Sequence, residues 1–287
     1  MSHETRLARL DDRFPERRAV ITGGASGLGL AAAGWLARHG WRLCLLDLDA
    51  GRLGEAVRTL SALGAAEVSA HVVDVAEAGE VQEAVDAFAD AEGGLDLALN
   101  AAGVAVAGAF LDTPVVDWEW ILRINVGGVA NSCRAELPHM LASGGGLVIN
   151  VASAAGFVSG PEMSAYNVSK AGVVALSETL AQEHYRDHIQ VVAAMPGFFR
   201  TRLLEHARAP DASLDAARRI MHASNLEASP VALEILARAA AGETHVVLPG
   251  EYRFLWWYKR LAPSRFQRFM VRFREKKEAA ARARRRS

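Results

Sequence analysis

Two features of this chain predict an α/β fold built on a doubly wound parallel sheet. From residue 19 to residue 248, short apolar runs alternate with amphipathic stretches of helical periodicity. The first apolar run, at residues 19–21, ends in a glycine-rich turn that opens directly into a helix. Repeated strand–helix–strand units with right-handed crossovers give a parallel sheet with helices on both faces.

The predicted elements follow one another in order along this stretch. We expect about seven strands, at residues 19–22, 42–47, 68–73, 96–100, 146–152, 190–195 and 244–248. Helices are predicted between them, at about residues 28–39, 50–63, 77–91, 115–141, 164–186, 201–222 and 229–241. No linker or change in composition divides residues 1–251, which we expect to form one domain, with a helical extension at residues 252–287.

The composition is that of an ordinary globular protein. The chain has 287 residues, of which 51% are hydrophobic and 23% charged. No apolar run approaches the roughly 18 residues of a bilayer span, and residues 1–18 lack the apolar core of a signal peptide. Cys44 and Cys133 suit a reducing compartment, so we expect a cytoplasmic protein. No metal site is expected, because His184 and His188 lack a third ligand at a suitable spacing.

Charge is distributed unevenly along the chain. The formal net charge is −1, yet residues 252–287 contain 13 Lys and Arg against two Glu. The extension is therefore strongly basic, and the preceding 251 residues are strongly acidic. An acidic body without a nucleic-acid-binding motif argues against nucleic acid as a partner.

Residues 22–29, with the sequence TGGASGLG, have the properties of a diphosphate-binding loop. Gly23 permits a tight turn, Gly27 lets the backbone approach a ligand, and Gly29 lets the next helix pack close to the sheet. The positive end of that helix and its free N–H groups lie at the same point. The candidate cofactor-binding residues of this loop are Gly23, Ser26, Gly27, Leu28 and Gly29.

Asp47 closes the second predicted strand, 20 residues after Gly27. In a dinucleotide fold, an acid at this place accepts hydrogen bonds from the adenosine ribose hydroxyls. Asp47 would repel a 2′-phosphate and Leu48 adds no positive charge, so we predict NAD as the cofactor. Arg52 is near enough in sequence to pair with a 2′-phosphate, and an NADPH-preferring carbonyl reductase therefore stays open as an alternative.

With these residues the chain resembles the short-chain dehydrogenase/reductase family, which has a Rossmann-type fold. The glycine spacing TGxxxGxG is that family's form, and Asp74-Val75 and Asn100-Ala101-Ala102-Gly103 match two further motifs. The resemblance covers about residues 16–248, and Ala101 replaces a more usual Asn. It implies that the first pair binds adenine and that the second motif steadies the sheet beside the cofactor. These motifs add Asp74, Val75, Asn100 and Gly103 to the candidate cofactor-binding residues.

Tyr166 and Lys170 form the candidate reactive pair. Four residues apart, they fall on one face of a helix, so the ammonium group can approach the phenol oxygen. A cation within about 4–6 Å lowers the pKa of a tyrosine from its usual value of about 10. Many such pairs are merely surface contacts, but Ser153 precedes Tyr166 by 13 residues, just past an apolar strand. Catalytic groups gather at the carboxyl ends of strands in open α/β sheets.

The resemblance implies a role for each of these side chains. Tyr166 would be the general acid/base, Ser153 would orient the carbonyl or alcohol, and Lys170 would lower the tyrosine pKa and bind the nicotinamide ribose. Asn125 would help to hold a water that links Lys170 to solvent. The candidate catalytic residues are thus Asn125, Ser153, Tyr166 and Lys170, and Pro196, Gly197 and Thr201 match the segment that holds the nicotinamide carboxamide.

The segments expected to contact substrate are mainly apolar. They are the loop after Ser153, the residues after Gly103, and residues 197–228; their apolar residues include Val104, Ala105, Val106, Ala155, Phe157, Val158, Phe198 and Phe199. No Arg or Lys stands out that would bind a carboxylate. We therefore predict an oxidoreductase that transfers a hydride between NAD and a lipophilic secondary alcohol or ketone, or an aldehyde.

The extension at residues 252–287 combines aromatic and basic side chains. Phe266, Phe269, Met270 and Phe273 follow at i, i+3, i+4 and i+7, with arginines between them. Such a helix can lie in an anionic lipid interface, which predicts possible peripheral contact with the inner membrane face. The same stripe can instead dock on the body or on a second subunit, and we expect a homo-oligomer, a dimer or a tetramer. A third alternative is a membrane-surface binding protein on a catalytically inactive dehydrogenase scaffold.

Overall fold

Seven parallel strands form one sheet in the computed structural model, which describes residues 3–224 and 226–284. The strands are β1 (Arg18–Thr22), β2 (Arg42–Asp47), β3 (Glu67–Val72), β4 (Leu97–Asn100), β5 (Gly146–Val151), β6 (Ile189–Pro196) and β7 (His245–Leu248). Their order, β3-β2-β1-β4-β5-β6-β7, reverses direction between β1 and β4. A ligand crevice forms at such a reversal, outside the carboxyl ends of the strands. The predicted fold class is confirmed, and the predicted strands agree with the structure to within two residues at each end.

Helices cover both faces of the sheet. They are α1 (His3–Arg13), α2 (Gly27–Arg38), α3 (Ala50–Leu63), α4 (Ala78–Glu92), α5 (Val115–Leu122), α6 (Gly128–Ala142), α7 (Ala155–Val158), α8 (Ser164–Glu183), α9 (Asp211–Ala223), α10 (Ala228–Ala240), α11 (Gly250–Leu261) and α12 (Pro263–Arg284). Alternation along the strands separates two apolar layers: Ile21 of β1 packs into one core cluster and Val20 into the other. The strands other than the edge strand β3 are therefore largely buried on both sides, whereas β3 is partly exposed.

The long helix predicted at residues 115–141 is interrupted in the structure. A π-helical turn, Arg123–Gly127, separates α5 from α6 and contains Asn125. Such turns insert one residue into the helical ladder and are frequent at functional sites. Helical periodicity alone does not reveal the π-helical turn, because helical residues adjoin it without a break on both sides.

The helix predicted at residues 201–222 begins only at Asp211, so that prediction is wrong for residues 201–210. Backbone hydrogen bonds there run to the loop after β4 instead: Arg208 N donates to Ala105 O, and Ala107 N donates to Arg208 O. Pro210 then precedes the first helical residue. Residues 201–210 thus form a non-helical segment that crosses the carboxyl edge of the sheet.

The N-terminal helix α1 has no counterpart in the sequence prediction. Its charged composition conceals an apolar face, on which Leu7 and Leu10 are buried in contact with the cluster that includes α10. Asp11 accepts a hydrogen bond from the indole nitrogen of Trp41 at 2.9 Å. Two leucines at i and i+3 were too short a pattern to predict a helix.

Residues 250–284 form the two helices α11 and α12, so the helical part begins two residues before the predicted extension; residues 285–287 lie outside the described part of the chain. α11 packs against β7 and α7, and Phe266 of α12 is 1% exposed against Tyr258. Phe269 and Phe273, by contrast, are 40% and 46% exposed. Phe266 therefore docks on the protein itself, as the docking alternative predicted, while Phe269 and Phe273 remain partly exposed. Among the described helices, none combines the length and apolar character that a bilayer crossing requires.

Candidate active site

The glycine loop after β1 packs so closely against its neighbours that side chains do not fit at its glycines. Gly23 and Gly27 have positive φ angles of 66° and 51°, which disfavour any residue with a Cβ. A Cβ on Gly29 would collide with the carbonyl oxygen of Gly23, so α2 packs directly against the turn. Ser26 immediately precedes α2, and Leu28 in the first turn of α2 is buried. The backbone N–H groups at the start of α2 therefore remain close to this loop, as diphosphate binding requires.

Asp47 lies at the carboxyl end of β2, beside the glycine loop. Its Oδ2 accepts a hydrogen bond from Ala25 N at 3.0 Å and its Oδ1 one from Asp49 N at 3.2 Å. These bonds fix the orientation of the carboxylate, and each oxygen retains a lone pair for a hydroxyl donor. The glycine loop and this carboxylate together fit the diphosphate and ribose of a dinucleotide.

Arg52 is held by acidic side chains. Its guanidinium group is 2.9 Å from Glu205 and 3.2 Å from Asp49. The hydrogen bond with Glu205, together with the neighbouring charges, raises the pKa of Arg52. A 2′-phosphate would have to compete with these carboxylates for the guanidinium group.

The residues of the two further family motifs lie along the same edge. Asp74 Oδ1 accepts from Ala76 N at 2.9 Å, and Asn131 donates to Val75 O at 2.9 Å. Asn100 is 1% exposed and points into the interior, where its Nδ2 donates to Asn150 and Glu136 at 3.0 Å each. Asn100 therefore stabilises the junction of β4, β5 and α6 rather than presenting its side chain at the surface of the crevice.

Other sequence-predicted cofactor residues also converge at this edge. A Cβ on Gly103 would lie 3.1 Å from Asn125 Oδ1 and 3.5 Å from Lys170 Nζ. A Cβ on Gly27 would lie 3.2 Å from Thr201 Oγ1, which brings Thr201 against the glycine loop. Gly197, directly after Pro196, donates its N–H to Leu248 O at 2.7 Å.

Tyr166, Ser153 and Lys170 are brought together by α8 and the end of β5. Tyr166 is 7% exposed and shares a hydrogen bond with the Ser153 side chain. Ser153 Oγ also accepts from Ala155 N at 3.1 Å and donates to Pro196 O at 3.3 Å. Lys170 Nζ donates to Val151 O at 2.8 Å and lies 5.9 Å from the centre of the Tyr166 ring.

Burial controls the pKa values of this pair. It raises the pKa of Tyr166 to about 12, while the Ser153 hydrogen bond acts in the opposite direction. Burial also lowers the pKa of Lys170 to about 8. The two causes of the Tyr166 shift are thus burial and the Ser153 hydrogen bond, and burial is the larger of the two.

Asn125 connects the loop after β4 to the helix that carries Tyr166. Its Nδ2 donates to Val104 O and to Ser169 Oγ, both at 3.0 Å, and its Oδ1 accepts from Val104 N at 2.8 Å. Ser169 Oγ in turn donates to Tyr166 O at 2.8 Å. Sequence reasoning missed Ser169, although a small polar residue directly before Lys170 was a usable signal. The Asn125 side chain is engaged in these bonds rather than directed at Lys170.

An apolar cluster packs around Tyr166. Ala105, Val106, Ile121 and Ala165 are buried with it, and Leu203, Trp118, Met163 and Ala155 pack around them. Three other apolar residues expected to contact substrate do not belong here: Phe157, Val158 and Phe199 pack into the two main core clusters. Arg208 lies 4.0 Å above the Trp120 ring and pairs with Asp117 at 2.9 Å. The side chains that pack around Tyr166 are thus mainly hydrocarbon.

Comparison with known proteins supports a specific family. Residues 17–212 match the family model described as short chain dehydrogenase. A 2-(R)-hydroxypropyl-CoM dehydrogenase of Xanthobacter autotrophicus is 38% identical over 188 residues, 64% of this chain and 75% of the relative. The oxidoreductase SadH of Mycobacterium tuberculosis is 32% identical over 267 residues, 90% of this chain and 95% of the relative.

Solved structures show the same architecture with both nicotinamide cofactors. A short-chain dehydrogenase/reductase from Burkholderia phymatum in complex with NAD has a TM-score of 0.79 at 32% identity, over 85% of this chain and 94% of the other. The L-sorbose reductase of Gluconobacter frateurii, complexed with NADPH and L-sorbose, has a TM-score of 0.71 at 26% identity, over 82% and 95%. Because these similarities agree with the strand order and the nucleotide cradle, the chain belongs to the short-chain dehydrogenase/reductase family of NAD(P)-dependent oxidoreductases.

Proposed function

We propose that the protein interconverts a lipophilic secondary alcohol and its ketone with NAD(H), and that aldehydes are related substrates. The observation that carries this proposal is the apolar cluster around Tyr166, beside the Ser153 hydroxyl. An apolar pocket with a few convergent polar groups favours a ligand with one oxygen and a hydrocarbon body. The names of the relatives point to chemically different alcohols, so they do not indicate one substrate class. The proposed class therefore rests on the apolar residues around Tyr166 in this chain.

The catalytic residues divide the work on the substrate oxygen. In the direction of reduction, Tyr166 donates its proton to the carbonyl oxygen. In oxidation the phenolate, whose population grows as the pH rises towards the raised pKa of Tyr166, accepts the alcohol proton. The Ser153 hydroxyl, which donates to Pro196 O in the structure, would turn to donate its hydrogen bond to the same oxygen and so fix its position. Lys170 would bind the nicotinamide ribose and stabilise the phenolate, and Asn125 would hold the Val104 loop and Tyr166 in register. The bound nicotinamide supplies the hydride chemistry.

The cofactor preference is proposed from the site of the adenosine ribose. Asp47 is oriented by two backbone amides, and Arg52 is paired with Glu205 and Asp49. Both features favour NAD over NADP, because a 2′-phosphate would meet one carboxylate and would have to displace two others. The NAD complex of the Burkholderia relative agrees with this choice, whereas the NADPH complex of L-sorbose reductase keeps an NADPH-preferring reductase as the alternative.

A substrate and cofactor panel tests the proposal. Wild-type protein is assayed with secondary alcohols and ketones of increasing chain length, each with NAD(H) and NADP(H), and NADH and NADPH affinities are measured by fluorescence. We expect kcat/KM to rise with hydrocarbon length. The wild type should bind NADH more tightly than NADPH, and Asp47→Ala should narrow or reverse this difference in affinity. NADPH binding tenfold tighter than NADH in the wild type would contradict the cofactor assignment. Preference for short hydroxy acids would contradict the substrate class.

We also propose that the extension at residues 252–287, whose described part packs against the catalytic domain at residues 1–251, contacts an anionic lipid surface. The outward face of α11 carries Phe254, Trp257 and Leu261, which are 67%, 53% and 79% exposed. The exposed arginines of α12 include Arg265, Arg268 and Arg272. Aromatic rings beside arginines favour the interface of an anionic bilayer. Contact with a second subunit in a dimer or tetramer is the competing use of this surface, and a binding protein without turnover is the competing function.

A further inference from the structure

The helix α11 contacts the loop that follows Ser153. Lys259 Nζ donates to Phe157 O at 2.7 Å and lies 3.4 Å from Ser159 Oγ. Both partners are at the carboxyl end of the short helix α7, where backbone carbonyls have no helical partner. Burial lowers the pKa of Lys259, so the ammonium group is partly desolvated at this contact.

The loop that Lys259 holds is connected to Ser153 by consecutive hydrogen bonds. Gly156 N donates to Ser153 O at 3.0 Å, and Phe157 N and Val158 N donate to Ala154 O at 3.1 and 2.8 Å. A shift of the Phe157 carbonyl therefore displaces the turn that positions the Ser153 hydroxyl.

The backbone beyond α7 needs external support. Ser159 and Glu162 have positive φ angles of 55° and 62°, a conformation that costs free energy in residues other than glycine. Asn167 and Gly108 hold this segment from the catalytic domain, through Gly160 O and Glu162 O. Lys259 holds it from the extension.

A second contact of α11 reaches the segment after β6. The Tyr252 ring covers Gly197 so closely that a Cβ there would lie 2.9 Å from Tyr252 Cε2. Gly197 follows Pro196, whose carbonyl accepts hydrogen bonds from Ser153 Oγ and from Ala154 N. The same helix therefore supports both backbone segments that hold Ser153.

We propose that Lys259 is a positioning residue, through which the C-terminal extension fixes the α7 loop and sets the affinity for substrate. Lys259 contacts neither the reacting hydroxyls nor the nucleotide loop, so it acts through Ser153. Loss of its hydrogen bonds should therefore weaken substrate binding and leave cofactor binding unchanged. The part concerning substrate rests on the proposed function.

The test compares Lys259→Met, which keeps the apolar stem, with Lys259→Arg and with Arg253→Met, a matched loss of charge at an exposed residue of the same helix. We expect Lys259→Met to raise KM for the alcohol about tenfold, as loss of a charged hydrogen bond does, with kcat within about twofold and the NADH dissociation constant unchanged. Lys259→Arg should restore part of the affinity, and Arg253→Met should behave as wild type. An unchanged KM, or parallel losses in kcat, NADH affinity and melting temperature, would overturn the proposal.

Hydrogen exchange of residues 154–160 provides a readout that needs no substrate. Amides there should exchange faster in Lys259→Met than in wild type, and Arg253→Met should show no change. Equal exchange in all three proteins would overturn the positioning role. A wild type that binds NADH but turns over no alcohol would instead contradict the proposed function, with the exchange result still deciding the role of Lys259.

Discussion

At the scale of single residues, the reactive pair differs from a solvent-exposed Tyr–Lys pair in its environment. Tyr166 is neutral over the physiological range, since burial raises its pKa to about 12. Lys170 loses its proton far more readily than an exposed lysine, since burial lowers its pKa to about 8. A neutral phenol is ready to donate a proton, whereas the ammonium group is present only below about pH 8.

These two pKa values predict the pH dependence of ketone reduction. Tyr166 stays protonated throughout the neutral and mildly alkaline range, so the proton donor is not lost there. Lys170 becomes neutral as the pH rises through about 8, which removes its charge from the site. We expect kcat/KM for reduction to be level below this pH and to fall above it, measured by NADH oxidation. A rate that stays level far into the alkaline range would contradict the role of the Lys170 charge.

The sequence predicted best which residues come together at the site. The spacing of Tyr166 and Lys170, with Ser153 directly after a strand, was sufficient to predict that the three side chains lie close together. The sequence did not reveal the burial that sets their pKa values, because burial depends on Ile121 and Leu203, which lie far from Tyr166 in the chain. A motif also does not reveal which of its side chains form hydrogen bonds inside the core, as that of Asn100 does with Glu136.

At the scale of elements, the junction of β4, β5 and α6 contains a carboxyl group in the core. Glu136 is 0% exposed, and within the described part of the chain its Oε1 has no hydrogen-bond partner. Asn100 donates to its other oxygen at 3.0 Å, and Asn150 continues the contact to Ser177. Burial raises the pKa of Glu136 to about 8, with the Asn100 hydrogen bond opposing the shift.

A raised carboxyl pKa makes the folded state lose stability as the pH rises. The folded protein retains the Glu136 proton up to about pH 8, whereas the unfolded chain releases it near pH 4.5. The free energy of unfolding should therefore fall across this interval. Glu136→Gln keeps the shape of the side chain without its charge. We expect this variant to lose the pH-dependent decrease and to have a free energy of unfolding on the order of 1–3 kcal/mol above that of wild type at pH 8.

Urea unfolding at several pH values measures this effect. Glu183→Gln, at an exposed residue of α8, is the matched control and should leave the pH dependence unchanged. Equal pH dependence in wild type and Glu136→Gln would show that Glu136 is ionised in the folded protein at neutral pH.

Elements were predictable where periodicity is long and uninterrupted. α3 has the predicted bounds, because Asp49 caps its start and Gly64 ends it in the left-handed conformation. The π-helical turn at Arg123–Gly127 and the crossing at residues 201–210 were not predicted. In both, tertiary hydrogen bonds decide the backbone: those of Asn125 with Val104, and those of Arg208 with Ala105.

At the scale of the whole molecule, the basic extension lies on an acidic body and is attached to it by ion pairs. Arg260 is 2.7 Å from Glu178, which also contacts His245 at 2.7 Å. The Arg260 guanidinium group also lies 4.1 Å above the Trp256 ring. This inner face of α11 is used for docking, and only the outer face remains for a partner.

Vesicle binding tests the proposed lipid contact. A Lys or Arg near an anionic surface contributes about 1 kcal/mol, and salt screens it. The protein should sediment with anionic vesicles at low salt, less at high salt, and hardly at all with neutral vesicles. Replacement of Arg265, Arg268 and Arg272 by Gln should abolish binding, as should Trp257→Ser combined with Leu261→Ser.

The control for the charge change removes three exposed arginines from the catalytic domain: Arg58, Arg134 and Arg219, each replaced by Gln. This variant should bind vesicles as wild type does. If the wild type ignores anionic vesicles and the Trp257 and Leu261 replacements instead dissociate an oligomer, the outer face of α11 is a subunit interface.

The central claim is that Tyr166 is the acid/base of a hydride-transfer enzyme, and Tyr166→Phe tests it most directly. Steady-state turnover of the best alcohol and NADH affinity are measured in wild type, Tyr166→Phe and Lys170→Ala. We predict that Tyr166→Phe lowers kcat by about 10²–10⁴-fold with NADH affinity within twofold, because the lost hydroxyl acts on the substrate oxygen. Lys170→Ala should impair both kcat and NADH affinity. Turnover by Tyr166→Phe close to that of wild type would contradict the claim.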